Sequence, residues 1–101
     1  MSLYITQLIY IRQGEEETFD QFENIAIPAI PKYNGKLLFR IRPDRENIIE
    51  KKMEVPYEIH LCAFESEKDF ENFMKDEERK RFLHLKEKAI RSAILIKGEK
   101  I

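Results

Sequence analysis

The side chains best suited to chemistry lie in one short segment near the middle of the sequence. Glu58, His60 and Cys62 alternate with apolar residues, so in an extended strand all three point to one face. Histidine changes its charge near neutral pH, and a neighbouring carboxylate orients the imidazole. We therefore assign His60 and Glu58 as candidate catalytic residues for acid/base chemistry.

Three further side chains are candidate ligand-binding residues. Arg40 lies on the preceding predicted strand, where an antiparallel hairpin would place it beside Glu58. Gln7 and Tyr10 lie on opposite faces of the first predicted strand, so each offers a hydrogen-bonding group to one side of the sheet. The functional hypothesis is a pocket near His60 that holds a modest, partly apolar organic molecule. The structural alternative is a polar network of Glu58, Arg40 and His60 at a dimer interface.

The sequence predicts neither a metal site nor a bound cofactor. His60 and Cys62 lie two residues apart, but zinc sites need three or four protein ligands, and His84 is distant. The three glycines are too scattered to form a phosphate-binding loop. Cys62 is expected to be a small buried hydrophobe, and a single cysteine forms no internal disulfide.

Composition excludes several classes of function. The chain has 101 residues and is expected to form one domain over residues 1–101. Its 18 basic residues balance 19 acidic ones, which argues against a nucleic-acid partner. The charged run 76–81 is interpreted as a solvated helix face. The N-terminus lacks the pattern of a signal peptide, and no apolar stretch is long enough to span a membrane, so the expected location is cytoplasmic.

The apolar spacing predicts strands and helices that would position these residues. Strands are predicted over residues 3–12, 36–42, 57–64 and 90–97. In the second strand, Leu37, Phe39 and Ile41 alternate with Leu38, Arg40 and Arg42, which predicts one face for each set. The first helix begins at residues 15–17 and should end near Ile27, because Pro28 cannot donate a backbone hydrogen bond.

The second half of the chain contains further helix signals. Ser66 and Asp69 form a start resembling a capping box, and Asp76 is placed to cap a further helical segment. Between the second and third strands, Ile48 and Ile49 are positioned for a short edge pairing.

The resulting order is βαββαβ, which predicts a ferredoxin-like α+β fold with a four-stranded antiparallel sheet and helices on one face. The strands carry apolar residues on both faces, so the face without helices needs a cover. We expect this cover to be a second copy of the chain in a homodimer.

Three segments resemble the dimeric α+β barrel superfamily. Residues 27–40 resemble its helix end, glycine turn and second strand, residues 56–66 its third strand and serine-capped helix, and residues 94–98 its last strand. The similarity is strongest to the domain-of-unknown-function family thirteen-thirty, and looser to the NIPSNAP and antibiotic-biosynthesis-monooxygenase families. The resemblance implies two sheets that face each other in a homodimer to close a barrel.

Two functions follow from the residues and the resemblance. The superfamily includes cofactor-free monooxygenases, haem-degrading enzymes and isomerases, and the absence of tryptophan here departs from the haem-degrading pattern. The first hypothesis is a small-molecule site near His60 that uses cofactor-free acid/base or oxygenation chemistry. The alternative is a non-catalytic dimerisation or regulatory module, whose barrel interior is packed by large side chains such as Phe39 and Phe64.

Overall fold

A single four-stranded antiparallel sheet carries the candidate residues. The structure, a computed structural model, describes residues 2–101. The strands are β1 (Leu3–Ile11), β2 (Gly35–Ile41), β3 (Glu58–Phe64) and β4 (Ile90–Gly98), and their order in the sheet is β2-β3-β1-β4. The four predicted strands are all present, each within one residue of its expected bounds. The ferredoxin-like architecture is confirmed.

The helices are α1 (Glu16–Ala29), α2 (Glu67–Met74), α3 (Glu77–Arg81) and α4 (Leu83–Ala89). Both predicted caps are present, because the side chains of Ser66 and Asp76 accept hydrogen bonds from the amides of Asp69 and Arg79. The further helical segment is divided at Phe82. There the Phe82 amide donates to the carbonyl of Arg79, a tighter three-residue bond that separates α3 from α4.

The end of α1 differs from its prediction. The helix continues through Pro28 to Ala29 and passes into a 3-10 turn over Ile30–Tyr33. Pro28 cannot donate to the carbonyl of Asn24, but both residues are exposed, so water can reach that end of the helix. Ala29 and Ile30 are buried in the core, and their packing offsets the lost hydrogen bond.

The core lies between the helices and one face of the sheet. One cluster includes Ile5, Phe64, Phe70 and Phe73, and a second consists of Ile9, Phe19 and Ala89. Phe64 therefore belongs to this helix-covered core, where only 2% of it is exposed. The prediction that Phe64 helps to fill a barrel interior on the other side of the sheet is wrong.

The second strand also departs from simple alternation. Leu37 pairs with Cys62, but Phe39 pairs with Leu61, so the register shifts by one residue at Leu38. This irregularity moves Leu37 to the helix-covered face, together with Arg40, and leaves Phe39 on the other face. A β-bulge re-aims the side chains that follow it, and strict period-two alternation cannot reveal it.

The opposite face of the sheet is not covered by helices and is largely apolar. Paired residues of an antiparallel sheet share a face, so the apolar members of this open sheet face include Leu8, Phe39, Ile41, Ile59, Leu61, Ile94 and Ile96. Phe39, Ile41 and Ile96 each expose about half of their surface. As expected from the sequence, the four helices leave this face without cover.

The segment between β2 and β3 forms no edge strand. The Asp44 side chain accepts a hydrogen bond from the Glu46 amide at 3.1 Å and begins a 3-10 turn over Arg45–Asn47. Such local bonds compete with strand pairing. The expected pairing of Ile48 and Ile49 is therefore wrong, and Ile49 is fully exposed.

The turn before β2 gives a test of packing. Asn34 adopts the left-handed conformation, whereas Gly35 is required for space, because a Cβ there would lie 2.5 Å from Phe64 and 2.7 Å from Ile30. We expect Gly35→Ala to lower the free energy of unfolding by about 1–3 kcal/mol, measured by urea denaturation. Gly98→Ala is the matched control, since a Cβ there would meet no atom within 4 Å. Equal stability of the two variants would contradict this account of the turn.

Candidate functional site

Glu58 is the most buried charged residue of the sheet, with 1% of its surface exposed. Arg40 donates from Nε to Oε2 at 3.0 Å, and Arg42 donates from Nε to Oε1 at 2.9 Å. His60 also contacts Oε2 through Nε2. The Arg40–Glu58 pair expected from the hairpin is present, and Arg42 completes a clamp that holds both carboxylate oxygens.

Strand register explains why these side chains meet. Arg40 of β2 and Gln7 of β1 both lie directly opposite His60 of β3. His60 is therefore flanked on both neighbouring strands by a polar candidate residue. All of them lie on the helix-covered face.

The charge state of Glu58 determines the tautomer of His60. Burial by itself raises the pKa of Glu58, but hydrogen bonds from His60 and Arg42 and the charge of Arg40 outweigh burial and lower the pKa to about 2. Ionised Glu58 can only accept hydrogen bonds, so Nε2 of a neutral His60 carries the proton. Nδ1 then keeps its free lone pair.

A cavity of about 70 Å³ lies beside His60, between the sheet and the helices. Its lining is mainly apolar, and its polar members are Gln7, Glu23, His60, Cys62, Arg79 and Lys86. The structural alternative drawn from the sequence placed Glu58, Arg40 and His60 at a dimer interface. These residues lie on the helix-covered face and not on the open sheet face, so the cavity beside His60 lies within one chain.

Glu23 is a buried carboxyl group that the sequence interpretation missed. It lies on α1 and exposes 6% of its surface to solvent. Burial raises the pKa of Glu23, and the nearby positive charge of Arg40 acts against that rise. Its spacing in the sequence indicates burial, because residue 23 lies on the same face of the helix as Phe19, Phe22 and Ala26.

Arg79 corrects the interpretation of the charged run 76–81 as a solvated helix face. Lys80 and Arg81 are exposed, but Arg79 is only 6% exposed and its guanidinium carbon lies 5.4 Å from the ring centre of Phe73. Lys86 of α4 also lines the cavity. Burial lowers the pKa of Lys86, and the charge of Arg79 lowers it further.

Two further side chains singled out in the sequence are Tyr10 and Cys62. Tyr10 does not line the cavity, and its hydroxyl donates to the carbonyl of Glu54 at 2.7 Å. Cys62 does line the cavity, and burial raises the pKa of its thiol to about 11. Within residues 2–101, no three His, Cys, Asp or Glu side chains come together as metal ligands.

Solved structures share this ferredoxin-like fold. A protein of unknown function from Rhodopseudomonas palustris superposes with a TM-score of 0.85 at 13% identity, covering 99% of this chain and 82% of that one. A NIPSNAP family protein of unknown function from Agrobacterium tumefaciens gives a TM-score of 0.70 at 17% identity, with 96% and 86% covered. At these identities the likeness shows the fold alone.

A third structure, from Bacteroides fragilis, is described as a dimeric protein of unknown function with a ferredoxin-like fold. It superposes with a TM-score of 0.71 at 12% identity, covering 98% of this chain and 96% of that one. No family model and no curated protein matches the sequence of this chain. Within residues 2–101, none of the helices has the length and apolar character needed to cross a membrane.

The clamp around Glu58 gives a pH-dependent prediction. Its pKa falls from the ordinary 4.5 to about 2 in the fold, so ionised Glu58 contributes stability above pH 4.5 that is lost as the pH falls towards 2. We expect Glu58→Gln to lower the free energy of unfolding by about 3 kcal/mol at pH 7. This difference from wild type should shrink between pH 4.5 and 2, measured by urea denaturation.

Glu67→Gln is the control for this experiment. It removes an ion pair with Lys97 in which both side chains are about half exposed, and such pairs contribute less than about 1 kcal/mol. A difference between wild type and Glu58→Gln that stays constant with pH would contradict the assigned charge state.

Proposed function

We propose that this chain belongs to the dimeric α+β barrel superfamily and binds a small organic molecule in the cavity beside His60, where it catalyses cofactor-free acid/base chemistry. Within the superfamily, we assign the chain to the domain-of-unknown-function family thirteen-thirty, on the resemblance of residues 27–40, 56–66 and 94–98. The observation that carries the proposal is the 70 Å³ cavity that an imidazole and a buried carboxyl group line together. Pockets with a few convergent polar groups and shifted pKa values are typical of active sites.

The geometry suggests a division of roles. Glu58 is a positioning residue, since it holds His60 through Nε2 and is itself held by Arg40 and Arg42. His60 Nδ1 is the proposed base, which takes a proton from a substrate carbon next to a carbonyl group while the electron pair moves into that carbonyl. Glu23 is the proposed acid, because its raised pKa favours the protonated carboxyl that can return a proton at a second atom.

This sequence of proton transfers would isomerise the substrate, leaving His60 protonated and Glu23 ionised until solvent restores both. Oxygenation would begin with the same proton removal and would require dioxygen as the co-reactant. Dioxygen adds to the resulting carbanion, one oxygen atom stays on that carbon as a new carbonyl, and the other leaves as water. In either reaction, Gln7 lies opposite His60 on β1 and offers a hydrogen bond to the bound molecule.

The proposed homodimer follows from the open sheet face. Ile41, Ile94 and Ile96 each expose between 39% and 50% of their surface, and contiguous apolar patches of this kind mark interaction sites. A second copy related by a two-fold axis would cover both sheets at once.

A non-catalytic dimerisation or regulatory module is the second candidate. The observation that favours it is the complete pairing of Glu58, whose two oxygens are already held by three side chains. Under this alternative, the His60 cluster only stabilises the sheet and the cavity remains filled with water.

Proton exchange tests the catalytic proposal. We expect the wild-type protein to accelerate deuterium incorporation next to the carbonyl in members of a panel of small ketones and keto acids in D₂O, measured by NMR. His60→Gln should reduce this rate about 100-fold or more, because it removes the base. His84→Gln is the matched control, since His84 is exposed on α4.

A folded His60→Gln protein that exchanges at the wild-type rate would contradict the role of His60. Absence of exchange in the wild-type protein for every compound of the panel would favour the non-catalytic module. Circular dichroism of each variant establishes that the fold is retained.

The dimer is tested by light scattering. We expect a mass near twice the 12.2 kDa of one chain. Ile96→Glu should shift the mass towards that of the monomer, because it buries an unpaired charge in the proposed interface. Ile101→Glu makes the same change at a fully exposed position and should leave the dimer intact. A wild-type mass near 12.2 kDa at micromolar concentration would contradict the dimer.

A further inference from the structure

We propose that the ligand of this cavity is a short organic carboxylate, and that Arg79 binds its carboxylate group. This inference rests on the proposed function only in that both assign a ligand to the same cavity. Its evidence comes from Arg79 and the charges around it, and is independent of His60.

Arg79 has hydrogen-bonding capacity that the protein leaves unused. Among residues 2–101, its Nε is the one fully buried side-chain nitrogen or oxygen without a hydrogen-bond partner. The only acceptor of its guanidinium within those residues is the carbonyl of Met74, which receives a bond from Nη1 at 3.2 Å. Buried donors in native proteins are nearly always paired. Since Arg79 also lines the cavity, we infer that a bound ligand supplies the acceptor.

Arg79 forms no ion pair within the described residues. Burial lowers the pKa of Arg79, and the charges of Glu23 and Asp76 act against that fall, but neither carboxylate comes within the 4.0 Å of an ion pair with its guanidinium. A buried charge is costly unless it is paired. A carboxylate fits this position best, because it matches the planar fork of a guanidinium with two parallel hydrogen bonds.

The balance of charge in the cavity favours an anion. Two basic side chains, Arg79 and Lys86, line it against the single carboxyl group of Glu23. Ionised Glu58 adds no net negative charge, because Arg40 and Arg42 both pair with it. An entering carboxylate would therefore meet positive charge rather than repulsion.

The size and lining of the cavity limit the rest of the ligand. A volume of 70 Å³ corresponds to about five to seven water positions, at roughly 10–15 Å³ for each. The apolar lining includes Ile5, Ile9 and Phe22, so a short aliphatic chain is preferred over a sugar or a nucleotide. Butanoate is a suitable probe of this class.

Two aromatic rings hold the guanidinium of Arg79 in position to bind a carboxylate. Its central carbon lies 5.7 Å from the ring centre of Phe22 and 5.4 Å from that of Phe73. The two aromatic contacts stabilise the cation from its faces, so they do not occupy the in-plane Nε donor. A purely structural role, in which Arg79 only caps the end of α2 at Met74, would require neither the free donor nor the cavity.

Binding of butanoate and its neutral analogue butanamide tests this inference on the intact protein. We expect wild-type protein to bind butanoate at least about tenfold more tightly than butanamide, because only the anion pairs with Arg79. NMR titration measures both affinities, and shifted backbone signals of Ala26 and Ala89 report occupation of the helix-covered core. Equal affinity for the two compounds, or no binding of butanoate, would overturn the inference.

Variants separate this inference from the proposed catalysis. Arg79→Met should weaken butanoate binding about tenfold or more, whereas Arg81→Met, at an exposed position of the same helix, should leave it unchanged. His60→Gln should retain butanoate binding even where it abolishes proton exchange.

If Arg79→Met fails to fold, Arg79→Lys, which keeps the charge but loses the planar fork, should still bind butanoate more weakly than wild type does. Unchanged binding in a folded Arg79 variant would overturn the role of Arg79.

Discussion

The rest of the structure depends on one buried charge, the carboxylate of Glu58. A lone carboxylate at 1% exposure would be strongly destabilising, so the fold must bring cations to it from neighbouring positions. The bulge in β2 places Arg40 opposite His60, and Arg42 reaches the second oxygen while also pairing with Asp20 of α1. The clamp thus joins two strands and a helix, and it fixes the orientation of the imidazole that faces the cavity.

The two faces of the sheet have separate tasks. The helix-covered face contains the core and the cavity, so a ligand site can be complete within one chain. The open sheet face contains mainly apolar side chains and serves the proposed dimer. Because the two faces are separate, a variant that loses the proposed dimer can keep the polar cluster. A packed interface on the open sheet face is also compatible with a cavity on the helix-covered face.

Sequence patterns predicted the strands, the order of elements and the pairing of Arg40 with Glu58, because each depends on local spacing or on adjacent strands. They did not show on which side of the sheet His60 lies, because both faces of β3 carry apolar residues and alternation alone cannot say which face the helices cover. Glu23 and Arg79 were also missed. Each lies among exposed charged neighbours in the sequence, and only the packing of α1 against α3 and α4 buries them. The alternation of residues in β2 does not indicate the bulge at Leu38, which is visible only in the pairing of β2 with β3.

The cavity beside His60 is proposed to be a ligand site rather than a packing defect. A crystal structure of the protein grown with butanoate tests it most directly. We expect density for the carboxylate on the guanidinium of Arg79, with the aliphatic chain directed among Ile5, Ile9 and Phe22 and one carbon near Nδ1 of His60. A cavity that holds only water at a saturating concentration of butanoate, with Arg79 Nε bonded to that water, would contradict it.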